Sequence, residues 1–281
     1  MKVGIIGPAE RAAAWEEHLR HHKSVGEVVI TPLLKNAGEV DACLLLDESE
    51  SQMERLLEAI KIGYHTFLIS RLPTDTAAVE KVYHAAEEAN VLLQFSHWPS
   101  IAPASQWMMQ SIESPKFIQV IREMGHTQFM ETETDPEFLW IDELAFCLKW
   151  IRGTVHHLDI NEVNLGGEAQ HAVQLSLRFD SGATSNIFIT TCSSLPRHTR
   201  FASDFTCLAE CDVDNQSVRL GKENEGGHLF FDKRSFDATR AAELSVSHFL
   251  KAIQLRRPTI YNGYDLMKLA KLVDRIRKRL R

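Results

Sequence analysis

The sequence predicts an α/β chain: an N-terminal parallel sheet covered by helices, followed by an open, mostly antiparallel α+β sheet domain. Three observations carry this expectation. Short apolar runs alternate with helix-period segments through residue 96, the pattern of strands joined by crossover helices on both faces of a parallel sheet. Beyond Pro103 the hydrophobic period changes from 3.6 to 2 over several segments. The 281 residues, 44% hydrophobic and 25% charged, supply the core of one large or two medium domains.

The elements follow in order. Residues 2–7 form an apolar run ending in Gly7, and residues 8–22 carry Ala12, Trp15 and Leu19 at helical spacing, with Pro8 suited to the first turn. Residues 28–34 and 42–46 read as strands, and 52–61 as a helix closed by Gly63. A strand at 66–70 precedes a helix at 76–89, for which Thr74 is the expected cap. Residues 91–96 complete the sheet. The second half has a helix at 104–112 and strands at 117–123, 170–180, 183–191, 201–209 and 217–220. Asp180, Ser181 and Gly182 are a hairpin turn, glycine supplying the positive φ. Helices are expected at 142–152, ending at Gly153, and at 240–254 and 264–281.

Composition narrows the function classes. A net charge of −7 gives no general attraction to nucleic acid or anionic lipid, and the basic residues at 275–281 occupy one helical face. No apolar run reads as a signal peptide or a membrane span, so a cytoplasmic chain is expected. Five cysteines, Cys43, Cys147, Cys192, Cys207 and Cys211, contain no C-x-x-C pair, which favours reduced thiols over disulfides or a zinc site.

Residues 3–7, 40–46, 59–69, 248–258 and 262–271, taken in order, resemble segments of the Gfo/Idh/MocA family of NAD(P)-dependent oxidoreductases. Val3-Gly4-Ile5-Ile6-Gly7 looks like its first strand, and Val40-Asp41-Ala42-Cys43-Leu44-Leu45-Leu46 and residues 59–69 are similar to its third strand and following helix-to-strand passage. Residues 248–253 through Pro258, then Asn262-Gly263-Tyr264-Asp265 to Lys271, resemble its terminal pattern. The resemblance implies a Rossmann-like NAD(P)-binding-type domain over 1–114 and a sheet domain over 115–281, with the terminal helices returning toward the first. It also implies a sugar or polyol substrate and NAD or NADP as cofactor.

The family's chemical positions are substituted. A dinucleotide turn needs G-x-G-x-x-G so that pyrophosphate can approach the backbone, and the matching residues are Gly7, Ala9 and Ala12. Ala9 places a methyl group on the phosphate path; Glu10 adds a negative charge, and Arg11 offsets it. The turn is either a weakened nucleotide site or a plain strand-to-helix turn. Thr31 and Pro32 stand where a ribose-binding acid is expected, and Lys35 is either a 2′-phosphate contact or a surface lysine. Residues 47–52 (Asp-Glu-Ser-Glu-Ser-Gln) replace the family's cofactor-contact turn and read as a solvated acidic loop capping the next helix.

The lysine of the family's E-K-P motif aligns with Arg71, a ligand clamp or a strand-end salt-bridge residue that holds its proton at any accessible pH. Alignment on Trp150 and Gly153 places Glu143 at the family's histidine and Phe146 at its aspartate. Glu143 is a base if buried near Arg71, and otherwise a charge complementing a helix start. His97 and Trp98, just after the last parallel strand, are the expected substrate-binding residues. His18, His21 and His22 share a helix face, and His156, His157 and Asp159 share a loop; neither group is read as a metal site.

Three functions compete: a nicotinamide-dependent oxidoreductase, a non-catalytic relative that binds a small molecule or a protein, and a different reaction using Arg71, Glu143 and His97. Phe179, Ile187, Ile189, Phe201 and Phe205 exceed the apolar needs of one covered face. The expectation is a homodimer or higher homo-oligomer through the C-terminal sheet.

Overall fold

The computed structural model describes residues 1–131, 135–164, 171–224 and 226–280. The chain divides into two compact units: Met1–Ile101 with Thr239–Asp274, and Ala102–Ala238 with Arg275–Arg281.

The first unit runs β1 (Lys2–Ile6), α1 (Ala9–Arg20), β2 (Glu27–Thr31), β3 (Ala42–Leu45), α2 (Gln52–Ile62), β4 (His65–Leu68), α3 (Thr76–Ala89), β5 (Leu93–Phe95) and a short α4 (Trp98–Ile101). All five strands are parallel, in the order β2-β1-β3-β4-β5. Because β1 pairs with both β2 and β3, the strand order reverses beside it, and in open α/β sheets that is where ligands meet the carboxyl ends of the strands. Val3, Ile5, Leu44 and Phe67 are fully buried, as expected of strands covered on both faces.

Gly7 is demanded by packing. Its φ is +156°, and a Cβ there would stand 2.7 Å from Leu46 Cβ and 2.9 Å from the Leu46 carbonyl oxygen. At the far end of α2, Gly63 closes the helix in the left-handed conformation. The cap of α3 is Asp75 rather than Thr74: its carboxylate accepts from the amides of Ala77 and Ala78 at 2.9 and 3.2 Å. The second strand stops at Thr31, and Leu34–Asn36 form a 3-10 turn in place of its expected extension.

The second unit contains α5 (Pro103–Ser111), β6 (Phe117–Gly125), α6 (His126–Glu131), α7 (Pro136–Trp150), β7 (Val155–Asn164), β8 (His171–Phe179), β9 (Thr184–Ser193), β10 (Arg197–Ser203), β11 (Cys207–Asp212), β12 (Ser217–Glu223) and β13 (Leu229–Ser235). These strands form one sheet in the order β13-β12-β11-β10-β6-β9-β8-β7, in which only β6 and β9 run parallel. α7 packs on β6 and β9, and α5 on β11 and β12. Two further helices, α8 (Ala241–Leu255) and α9 (Gly263–Leu280), close the chain.

The observed division crosses between units at 101/102, not at 114/115, because α5 lays its buried residues Ala104, Ser105 and Met108 against the second sheet. α8 belongs to the first unit, where Val246, Phe249 and Leu250 join the core around Val3, Leu19 and Phe67. Phe67 and Phe249 have ring centroids 5.7 Å apart, and each such buried ring contributes roughly 1.5–3 kcal/mol.

Other sequence expectations are corrected in the second unit. The helix expected from 142 starts a turn and a half earlier, since Asp135 caps it and Pro136 occupies its first turn. The loop assigned to His156, His157 and Asp159 is strand β7, and the single strand 201–209 is two strands turning at Asp204. Phe179, Ile187 and Ile189 are buried within the chain on the covered face, so they do not contribute to an exposed one. Residue 170, expected to open a strand, and residue 281 lie outside the described residues.

Gly7→Ala should lower stability more than Gly38→Ala, which has positive φ but open space around its Cβ. The shared backbone cost is roughly 1 kcal/mol, and overpacking against Leu46 adds about 1–3 kcal/mol. Urea denaturation of the two variants checks this; equal losses would mean that Leu46 yields freely.

Candidate functional site

In the first unit, the turn after β1 carries Gly7, Ala9 and Arg11. The leading amides of α1 have no partner within the helix, and Pro8 offers no side-chain cap. That leaves donors at a helix N-terminus, the ordinary setting for an anion. Two features oppose a pyrophosphate. Ala9 exposes its methyl group at the mouth of the turn, and the Arg11 guanidinium is paired with Glu48 at 3.1 Å. After β2, Thr31 is buried and exchanges hydrogen bonds with the backbone of Leu33, while Lys35 is exposed on the 3-10 turn. No carboxylate stands there for a ribose.

The acidic segment after β3 departs from the expected solvated loop. Asp47 is only 4% exposed; one oxygen accepts from the Ser49 amide at 2.9 Å, and the other lies 3.2 Å from Arg55. That second oxygen lacks a well-aligned donor, so the Arg55 contact is an ion pair rather than a directional hydrogen bond. Ser51, at the helix start, makes no side-chain cap. A buried carboxylate beside the turn makes the site less hospitable to phosphate than the sequence alone indicated. The residues present fit a nicotinamide dinucleotide poorly.

Arg71 lies exposed just beyond β4, and the Ser70 hydroxyl donates to its carbonyl at 2.8 Å. His97 and Trp98 follow β5. His97 is almost wholly buried, with Nδ1 2.7 Å from the Ser100 hydroxyl and its ring 4.7 Å from that of Tyr261, whereas Trp98 is 44% exposed at the start of α4. Gly7, Ala9, Arg11, Arg71, His97 and Trp98 thus all follow carboxyl ends of the first sheet. Of the two expected substrate contacts, only Trp98 is open.

Glu143 belongs to the second unit and lies inside it. It is the eighth residue of α7 and is fully buried, which overturns its reading as a helix-start charge. Arg200 of β10, also fully buried, donates from Nε and from a terminal nitrogen to the two Glu143 oxygens at 2.8 and 2.7 Å. Its remaining terminal nitrogen donates to Ser105 of α5 at 2.7 Å, and its guanidinium stacks on Phe146 at 4.3 Å. His198 Nε2 is 2.9 Å from the same carboxylate; since an ionised carboxylate only accepts, this nitrogen carries the proton.

Burial alone would push the Glu143 carboxyl up, but Arg200 and His198 more than offset this and hold it well below the usual carboxylate range. Burial lowers the His198 imidazole, and attraction to Glu143 restores only part of the loss. The Arg200 guanidinium ends above its ordinary value, because Glu143 outweighs the cost of burying it. A carboxylate saturated in this way does not exchange protons with a substrate. Sequence reasoning missed Arg200 and His198, although one signal was present: with Ala202 they occupy alternate positions that face inward.

No three-ligand cluster of metal-binding side chains occurs among the described residues. No helix among them is long and apolar enough to cross a membrane.

With a five-stranded parallel sheet and an eight-stranded mostly antiparallel sheet in view, comparison with known proteins shows that this two-unit fold recurs in several solved structures. No family model matches the sequence, and no curated protein does. Among solved structures it is similar to UDP-N-acetylglucosamine 3-dehydrogenase from Acidithiobacillus ferrooxidans, with 16% identity, 99% of this chain and 96% of that one covered, and a TM-score of 0.80. An oxidoreductase from Agrobacterium radiobacter, in complex with NAD+, L-tartaric acid and magnesium, is 13% identical over 98% and 94% of the chains, with a TM-score of 0.80. Biliverdin reductase from Synechocystis, in complex with biliverdin and NADP+, is 14% identical over 97% and 96%, with a TM-score of 0.73. At these identities the likeness establishes the fold.

Two predictions concern the buried cluster. Arg200→Met leaves Glu143 buried without its main partner and should cost about 3–5 kcal/mol, most of which Glu143→Leu in the same chain should return; chemical denaturation of the single and double variants measures both. Stability should also fall on acidification. Below the ordinary histidine value of 6.5, the unfolded chain takes up a proton that His198 resists, and below 4.5 the same holds for Glu143. His198→Gln should flatten the upper part of this decline, read as denaturation midpoint against pH.

Proposed function

We propose that this chain is a relative of the Gfo/Idh/MocA dehydrogenases in which NAD(P)-linked hydride transfer on sugars or polyols is impaired or lost. The fold then serves to bind a small molecule or a protein partner. The observation that carries this reading is the condition of the two acid–base positions. The residue at the family's lysine is Arg71, whose guanidinium keeps its proton. Glu143, at the family's histidine, is spent on Arg200 inside the second unit. Loss of a general acid or base typically costs about 10²–10⁴ in rate.

A working oxidoreductase is the second reading. The donor-rich turn after β1 favours it, as do the names of its structural neighbours, among them a nucleotide-sugar dehydrogenase and a protein solved with NAD+. Nicotinamide fluorescence during titration with NADH and NADPH separates the two, together with turnover assays on a sugar and polyol panel. Neither the wild type nor Arg71→Lys should show turnover, because catalytic residues acting as a unit are not rescued singly. A wild-type rate above background, abolished by Arg71→Ala, would return the chain to the working members of the fold.

The same reading includes self-association through the uncovered face of the eight-stranded sheet. Phe188, between the buried Ile187 and Ile189 of β9, and Phe231, which pairs with Gly221 and so faces away from the buried Val218 and Leu220 of β12, are 36% and 50% exposed. Light scattering at micromolar concentration should report a multiple of 31.9 kDa; a monomer alone would remove this part of the proposal.

A further inference from the structure

The first unit holds a second concavity, at the opposite end of its parallel sheet from the nucleotide turn. A cleft of about 280 Å³ opens between the last turns of α3, the residues leading into β5, and the connection from α8 to α9. Tyr83, Val91, Leu93, Pro258 and Tyr264 give it an apolar and aromatic wall, and Arg256 and Arg257 stand at its edge. Among the described residues neither arginine forms an ion pair, and both are exposed. Glu87 is the one carboxylate on the lining, so the cleft keeps an excess of positive charge in a chain whose overall charge is −7.

The backbone adds an independent observation. Arg256 adopts φ +50° as the left-handed cap of α8, and the amides of Arg256 and Arg257 close the helix onto the carbonyls of Ile253 and Ala252. Glycine is the relaxed residue at such a cap, so Arg256 holds this position at a backbone cost that its charge beside the helix end offsets only in part. Successive guanidiniums beside an aromatic wall suit a planar, apolar body carrying an anionic group: fork donors for the oxygens, tyrosine faces for the body. The volume lies near the lower limit for small-molecule pockets, which run roughly 300–1,000 Å³.

We propose that the cleft between α3 and the α8–α9 connection binds a small aryl anion, a phosphate monoester or carboxylate, held by Arg256 and Arg257 with its ring against Tyr83 and Tyr264. This site is separate from the turn after β1 and stands whether or not a dinucleotide binds there.

The test uses the full chain and phenyl phosphate as probe, with binding followed by calorimetry and by ligand-observed NMR. Saturable binding is expected below about 10 mM, and inorganic phosphate should bind more weakly because it has no ring to bury. Combining Arg256→Gly with Arg257→Gln should weaken phenyl phosphate roughly tenfold or more, while Arg256→Gly alone leaves the melting temperature unchanged or raises it. Arg11→Ala, at the other site, should leave binding intact. Absence of saturation, equal affinity for inorganic phosphate, full binding by the double variant, or loss in Arg11→Ala alone would each overturn the assignment.

Discussion

The buried pair of Glu143 and Arg200 is the constraint on which the second unit depends. Two charges taken out of water are tolerable only when their hydrogen-bonding groups are met, and here α7, β10 and α5 supply the partners together. Breaking any one contact leaves a buried charge or polar group exposed to the apolar interior. The same pair also decides chemistry, because a carboxylate held by Arg200 and His198 belongs to the framework and is not open to a ligand. Phe146 provides the face on which the guanidinium rests.

The carboxyl end of the parallel sheet follows a similar logic. Arg11 meets Glu48, and Arg55 meets Asp47, so charges that would greet a dinucleotide are spent on each other. Exposed pairs of this kind are weak and screened, but Asp47 is buried and its charge acts through a poorly shielding medium. The turn keeps the shape of an anion site and little of its charge balance.

The first unit was legible in the sequence because its signals are local. Gly7 ends an apolar strand, Gly63 ends a helix, and continuous apolar runs at 3–6 and 42–46 mark strands buried on both faces. The second unit was less legible where local signals were weak. The strands β7 and β13 carry exposed polar and charged side chains along most of their length, and edge strands of that kind lack the alternation that identifies buried ones. Asp135-Pro136 is a local helix start, a capping carboxylate followed by a first-turn proline, and it sets the beginning of α7.

By itself the sequence determined the order of strands and helices as far as β5, the change from parallel to mostly antiparallel sheet, and the residue types at Ala9, Arg71, Glu143 and Phe146. These depend on residue type and on spacing within one or two turns. Tertiary structure alone decided that Glu143 pairs with Arg200, 57 residues away, that Asp47 is buried against Arg55, that His97 turns inward while Trp98 stays open, and that α8 returns to the first unit's core. Apart from Asp47 and Arg55, which share one loop and the helix after it, these are contacts between segments far apart in the chain. No local periodicity specifies which distant side chain will satisfy a buried charge; the packing of whole elements does.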